Sequence, residues 1–174
     1  MRLADDDFAL LGLPRRQALD RAELDERWRR LQAEVHPDRF AAEGAAAQRV
    51  AMQWALRVNE AYRRLKDPLS RAAYLCELAG VPVEAESNTA MPPAFLMQQM
   101  QWREALEEAH GLADVQALED EVLEAERAQL QQVQQLLDEA GDARAAAAQV
   151  RALMFVQRFR QDIERRLDGL EPGR

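Results

Sequence analysis

The chain has 174 residues, enough for one sizeable core or two small ones, and its 48% apolar and 31% charged content excludes wholesale disorder. No apolar run approaches the roughly 20 residues that span a bilayer, so no membrane partner is expected. The net charge of −8 is uneven: residues 1–80 hold 14 basic and 13 acidic side chains, residues 81–174 hold 9 and 18. An acidic second half lacks the positive surface that tracks phosphates, which argues against nucleic acid and hints at two modules.

Only 7 Gly and 7 Pro interrupt a chain rich in Ala, Leu, Gln, Glu and Arg, so an all-α fold is expected. The single cysteine, Cys76, excludes an internal disulfide and offers no metal-ligand spacing. The acidic start, Asp5-Asp6-Asp7, suits neither a secretory signal nor an Arg-rich transit peptide, and a cytoplasmic location is expected.

In chain order, Asp5 to Leu11 reads as a short capped helix closed by Gly12-Leu13-Pro14. A second helix starts at Asp20, with Glu23 placed to reach back in a capping box. Leu24, Trp28, Leu31 and Val35 form its inner stripe; Arg29 and Arg30 face away, with Arg21 and Arg27 on the flanks. Pro37 stops it near Val35 or His36. A third helix spans about 45–66, with Val50, Trp54, Val58, Ala61 and Leu65 inward, and Asp67-Pro68 breaks it before a fourth short helix ending at Gly80. Trp28, Trp54, Tyr62 and Tyr74 lie on or beside inner stripes and are assigned to packing. Residues 80–93, with three prolines and no periodicity, read as a linker. Three amphipathic stretches follow at about 94–109, 114–140 and 142–170, broken at Gly111 and Gly141, and short loops of this kind make antiparallel neighbours of a three-helix bundle.

In that bundle, winding the first stretch at about 100° per residue puts Phe95, Trp102, Leu106 and Ala109 on the core face. Leu96, Met97 and Met100 fall elsewhere, among Arg103, Glu104 and Glu107, as a patch of adaptable apolar side chains ringed by charge. The last stretch turns Ala152, Val156, Phe159, Ile163 and Leu167 inward, with Phe155 at the stripe's edge and Met154 outside it.

His36-Pro37-Asp38 could pair base and orienter, but no nucleophile elbow or phosphate-binding loop accompanies it, and the other histidine, His110, lies in the other half. No catalytic residue is assigned. The segment from Val58 to Pro68 (VNEAYRRLKDP), followed by Arg71-Ala72-Ala73-Tyr74-Leu75, resembles the third and fourth helices of a J domain. The Phe8-to-Leu13 opening and the HPD triplet between helices two and three fit the same pattern. The resemblance implies a J domain, a helical hairpin, over residues 1–79, whose His36, Pro37 and Asp38 contact the ATPase domain of a DnaK-type chaperone while Arg27, Arg29 and Arg30 dock on acidic surface. Arg39 stands where such domains often carry Lys.

The short linker at 80–93, the Phe95-Leu96-Met97 helix with Arg103-Glu104, and the final helix around 151–159 extend the likeness along the chain. As a whole it resembles the HscB family of J-domain co-chaperones in iron–sulfur cluster biogenesis. That resemblance implies HscA as chaperone and a bundle, residues 94–174, that binds the scaffold protein IscU through Leu96, Met97, Met100, Glu104, Glu108 and Phe155. Gln101 departs from a position often acidic in the family. The zinc-binding cysteine pair of some eukaryotic relatives is missing, so neither metal nor cofactor is expected. A J protein serving another client is the competing reading; a hydrolase using His36 and Asp38 is a third.

Overall fold

A computed structural model describes residues 1–84 and 91–170, and the described residues contain helices but no strands. No helix among them is long and apolar enough to cross a membrane. The chain divides into two compact units, Met1–Leu75 and Cys76–Arg174.

In the first unit, α1 (Asp7–Leu10) is capped by Asp6, whose carboxylate accepts from the Ala9 amide. Partial burial opposes the charge on Asp6, yet the Arg15 guanidinium and the Ala9 amide hold its carboxyl below the usual range. Asp7 is fully buried and paired with Arg57 (2.8 Å) and Arg64 (3.3 Å) of α3 (Ala45–Lys66). The Asp7 amide donates to the Tyr74 hydroxyl at 3.0 Å, and the Arg64 guanidinium lies 4.6 Å above the Tyr74 ring. This charge cluster pins α1 to α3; Asp7 is out of water while Arg57 and Arg64 keep part of their exposure, so losing the arginines would strand the carboxylate.

Helix α2 (Arg21–Val35) begins at Asp20, which accepts from Ala22 and Glu23 amides as expected. Glu23 does not turn back as the capping box requires: its Oε1 accepts from Arg27 at 2.9 Å, a charge-assisted bond one turn along. Helices α2 and α3 are aligned by Trp28 and Tyr62, stacked with centroids 4.3 Å apart, and by the Trp28 indole donating to Asn59 at 3.0 Å. The Tyr62 hydroxyl donates to Asp25 at 2.7 Å; that bond first, and Arg21 second, hold the Asp25 carboxyl below the usual carboxylate range.

One face assignment on α3 is corrected. Val50 is exposed, and Ala51 is the buried residue of the stripe that continues through Val58, Ala61 and Leu65. Val50 lies eight positions before Val58, about 80° away round the helix, whereas Ala51 is only about 20° off. Val50 instead borders an apolar cavity of about 420 Å³ that also takes in Val35, Phe40 and a half-buried Trp54. Helix α4 (Pro68–Leu78) follows, and its buried Arg71 donates to the carbonyls of Leu65 and Gln17.

The division between units falls inside α4, ahead of residue 79, where the sequence reading placed it. Cys76 is fully buried with its thiol 3.8 Å from the Ala143 carbonyl, and the Val83 carbonyl accepts from buried Arg151 at 3.0 Å. Residues expected to be linker thus take part in the second unit. Residues 85–90 of that linker and 171–174 of the bundle lie outside the described residues.

The second unit comprises α5 (Pro93–Glu108), α6 (Leu112–Gln135) and α7 (Ala143–Leu170). A π turn, Leu136–Ala140, ends α6, and Gly141 follows in the left-handed region (φ 64°) that favours glycine. Trp102, Val115, Leu118, Val122, Val156, Phe159 and Ile163 make one core, with Leu106, Ala109 and Leu167 packed against it. Phe95, expected on that face, is half-buried, seven residues before Trp102 and outside the cluster.

Candidate functional site

Two exposed surfaces carry the residues singled out above, one in each unit. The first is built where α2 stops. Pro37 denies His36 a helical conformation, so His36 is extended (φ −61°, ψ 129°) and becomes the cap of a 3-10 turn, Pro37–Glu43. Its Nδ1 accepts from the Asp38 amide at 3.2 Å, and its carbonyl accepts from the Arg39 amide at 3.1 Å. Occupied as an acceptor, Nδ1 leaves Nε2 to carry the proton of the neutral ring. The Asp38 carboxylate is 92% exposed and 3.7 Å from Nδ1, while Pro37 is half-buried beneath them. The turn presents an imidazole and a free carboxylate on a rigid backbone. Among the described residues no three His, Cys, Asp or Glu side chains gather as a metal site.

The arginines of α2 are less basic as a surface than their number suggests. Arg27 pairs with Glu23 at 2.9 Å, Arg30 with Glu26 at 2.8 Å and Arg21 with Asp25 at 2.9 Å, each one turn apart. Arg29, exposed, is the α2 arginine in no close ion pair among the described residues, although its charge is felt by Asp25. A side chain at Gly12 (φ +66°) would begin 2.7 Å from the Arg27 guanidinium, so a bare backbone there makes room for Arg27.

The second surface lies on α5. Leu96, Met97 and Met100 are 45%, 63% and 70% exposed, whereas Trp102 is 3% exposed, stacks on Phe159 and donates its indole N–H to Glu121 at 3.3 Å. Glu104 and Glu108 are exposed on the same side of α5 as the methionines, and Gln101 is exposed beside them. Phe155 belongs to α7 and is half-buried. Its place follows from register: the ring of Trp102 meets that of Phe159, and the Ala109 carbonyl accepts from Arg166, both contacts 57 residues apart. Two contacts with one offset mean that α5 and α7 run the same way, which sets Phe155 level with Gln98 along the axis. Arg158, on the turn after Phe155, holds its guanidinium 5.3 Å from the Phe155 ring centroid. The sequence reading passed over Arg158, although its three-residue spacing from Phe155 signals such a contact.

Comparison with known proteins narrows the reading of these surfaces. The profile described as the HSCB C-terminal oligomerisation domain matches residues 91–164. A co-chaperone protein HscB homolog from Bordetella pertussis is 53% identical over 161 residues, covering 92% of this chain and 95% of its own. One from Burkholderia multivorans is 51% identical over 172 residues, covering 97% of this chain and 98% of its own. Among solved structures, chaperone HscB from Vibrio cholerae matches with a TM-score of 0.82 at 37% identity, covering 96% of this chain and all of that one. Human co-chaperone protein HscB gives a TM-score of 0.88 at 26% identity, covering 95% of this chain and 84% of the human one. The all-α architecture, a J domain followed by a helical domain, is therefore shared with these structures, and the chain belongs to the HscB co-chaperone family.

Proposed function

We propose that this chain delivers the iron–sulfur scaffold protein IscU to the DnaK-type chaperone HscA in the cytoplasm and raises HscA's rate of ATP hydrolysis. Three residues at the α2–α3 turn, His36, Pro37 and Asp38, contact the ATPase domain, with Arg29 the principal steering charge and Arg27 and Arg30 contributing less. The bond chemistry belongs to HscA; this chain positions and triggers.

On the client side, Leu96, Met97 and Met100 dock on apolar scaffold surface, Phe155 extends that contact from α7, and Glu104 and Glu108 meet basic groups of the scaffold. The observation that carries this reading is the exposure of Leu96, Met97 and Met100 on the side of α5 away from Trp102. Three large apolar side chains kept in water on a helix whose other face packs a core have a use outside the bundle. A J protein for another client would share the His36-Pro37-Asp38 turn but would have no reason to bind IscU. Calorimetric titration of the purified chain with IscU separates the two: saturable binding supports the proposal, and no binding leaves the other client.

A further inference from the structure

Arg158 is an exposed arginine in an acidic half of the chain, and no carboxylate of the described residues pairs with it. One was in reach by spacing. Asp162 lies four residues on along the same helix, but it pairs with Arg165 at 3.5 Å, while Arg160 is taken by Glu126 at 3.1 Å. The Arg158 guanidinium rests instead over the Phe155 ring. A cation resting over a ring keeps its N–H donors available to a second partner, and an exposed guanidinium without a carboxylate of its own is a bidentate receptor for one.

Register places this receptor. The 57-residue offset between α5 and α7 that sets Phe155 level with Gln98 sets Arg158 level with Gln101. Gln101 is a neutral amide at that level, so position 101 brings no carboxylate to the height of Arg158. The rim of the patch is thus mixed in charge, with Arg103, Glu104 and Glu108 on α5 and an unpaired guanidinium on α7.

We propose that Arg158 is a specificity-determining residue of the client site: it receives a surface carboxylate of the scaffold protein at the Phe155 edge of the patch. This rests on the scaffold reading above. A scaffold surface that fits has an apolar centre, basic groups toward Glu104 and Glu108, and an acidic group toward Arg158, so charge fixes the orientation as well as the partner.

The test is titration of IscU into the full-length chain carrying Arg158→Glu, Arg158→Leu or Arg158→Lys, at low and at moderate salt. Because Arg158 is exposed, thermal melts of all three variants should match the wild type. Arg158→Glu is expected to weaken binding by about tenfold or more, Arg158→Leu somewhat less, and Arg158→Lys least, with a shallower salt dependence in the first two. Surface Asp and Glu residues of IscU, changed singly to Lys, should include one that restores affinity for Arg158→Glu. Unchanged affinity in Arg158→Glu, full affinity in Arg158→Leu, or no restoring partner overturns the inference while leaving the scaffold reading in place. A wild-type chain that fails to bind IscU refutes that reading and this inference together.

Discussion

Replacing Leu96, Met97 and Met100 together by Ala should cripple binding of IscU and leave the free protein almost as stable as before. Burying such a side chain completely is worth about 1.5–3 kcal/mol. Roughly half to two thirds of each is still in water, at 45%, 63% and 70% exposure, so docking has about 1–2 kcal/mol per residue left to gain. Three truncations therefore remove about 3–5 kcal/mol, and even with incomplete burial the affinity should fall by about a hundredfold or more. The same cuts open no cavity in the bundle, because its core is built from Trp102, Val122, Val156, Phe159 and Ile163. Trp102→Ala is the contrast: that ring is 3% exposed, and its loss should cost about 3–5 kcal/mol of stability. Calorimetry with IscU and thermal melts by circular dichroism read both effects. A triple variant that binds normally, or one that melts as early as Trp102→Ala, would refute the assignment of faces on α5.

Arg29→Glu should slow association with HscA more than Arg27→Glu or Arg30→Glu, since the latter two charges are already answered by Glu23 and Glu26; stopped-flow association at two salt concentrations checks the order, and equal effects would count against it. Cys76, whose thiol burial pushes up to about 11, should resist alkylation in the native protein at mildly alkaline pH and react once denaturant unfolds the second unit. Its protonated thiol also implies that stability is held below the ordinary thiol value of 9.0 and declines as pH rises from there toward 11, because the unfolded chain ionises first; denaturant midpoints across that range measure it. Tyr62→Phe removes the donor that most lowers the Asp25 carboxyl, so the variant should be less stable at neutral pH and converge with the wild type in acid, where a protonated Asp25 no longer contributes; equilibrium unfolding at the two pH values tests the sign.

Helix ends were legible because their causes are local. Asp20 caps α2, Pro37 ends it, Asp67-Pro68 separates α3 from α4, and Gly141 takes the left-handed backbone that closes the end of α6. The exposed patch on α5 could be read as well, since Trp102, Leu106 and Ala109 define a core side from which Leu96 and Met100 are excluded by angle alone. Val50 was misplaced although the sequence held the answer: it lies about 80° round the helix from Val58, whereas Ala51 lies within about 20°. Other features depended on neighbours. The π turn at Leu136 has no side-chain cap to announce it. The pairing of Arg27 with Glu23 and of Arg30 with Glu26 was open to the sequence through their four-residue spacing, but the arginines were counted without it. Register between α5 and α7, which sets Phe155 level with Gln98 and Arg158 level with Gln101, exists only in three dimensions.

The most direct measurement is steady-state ATP turnover by HscA in the presence of IscU, with the wild-type chain or with Asp38→Asn. Asp38 is exposed and caps nothing with its carboxylate, so the variant should keep its helicity and its affinity for IscU. The account predicts that the wild type raises turnover and lowers the IscU concentration giving half-maximal stimulation, and that Asp38→Asn does neither. Equal stimulation by a folded Asp38→Asn, or none by the wild type, would contradict it.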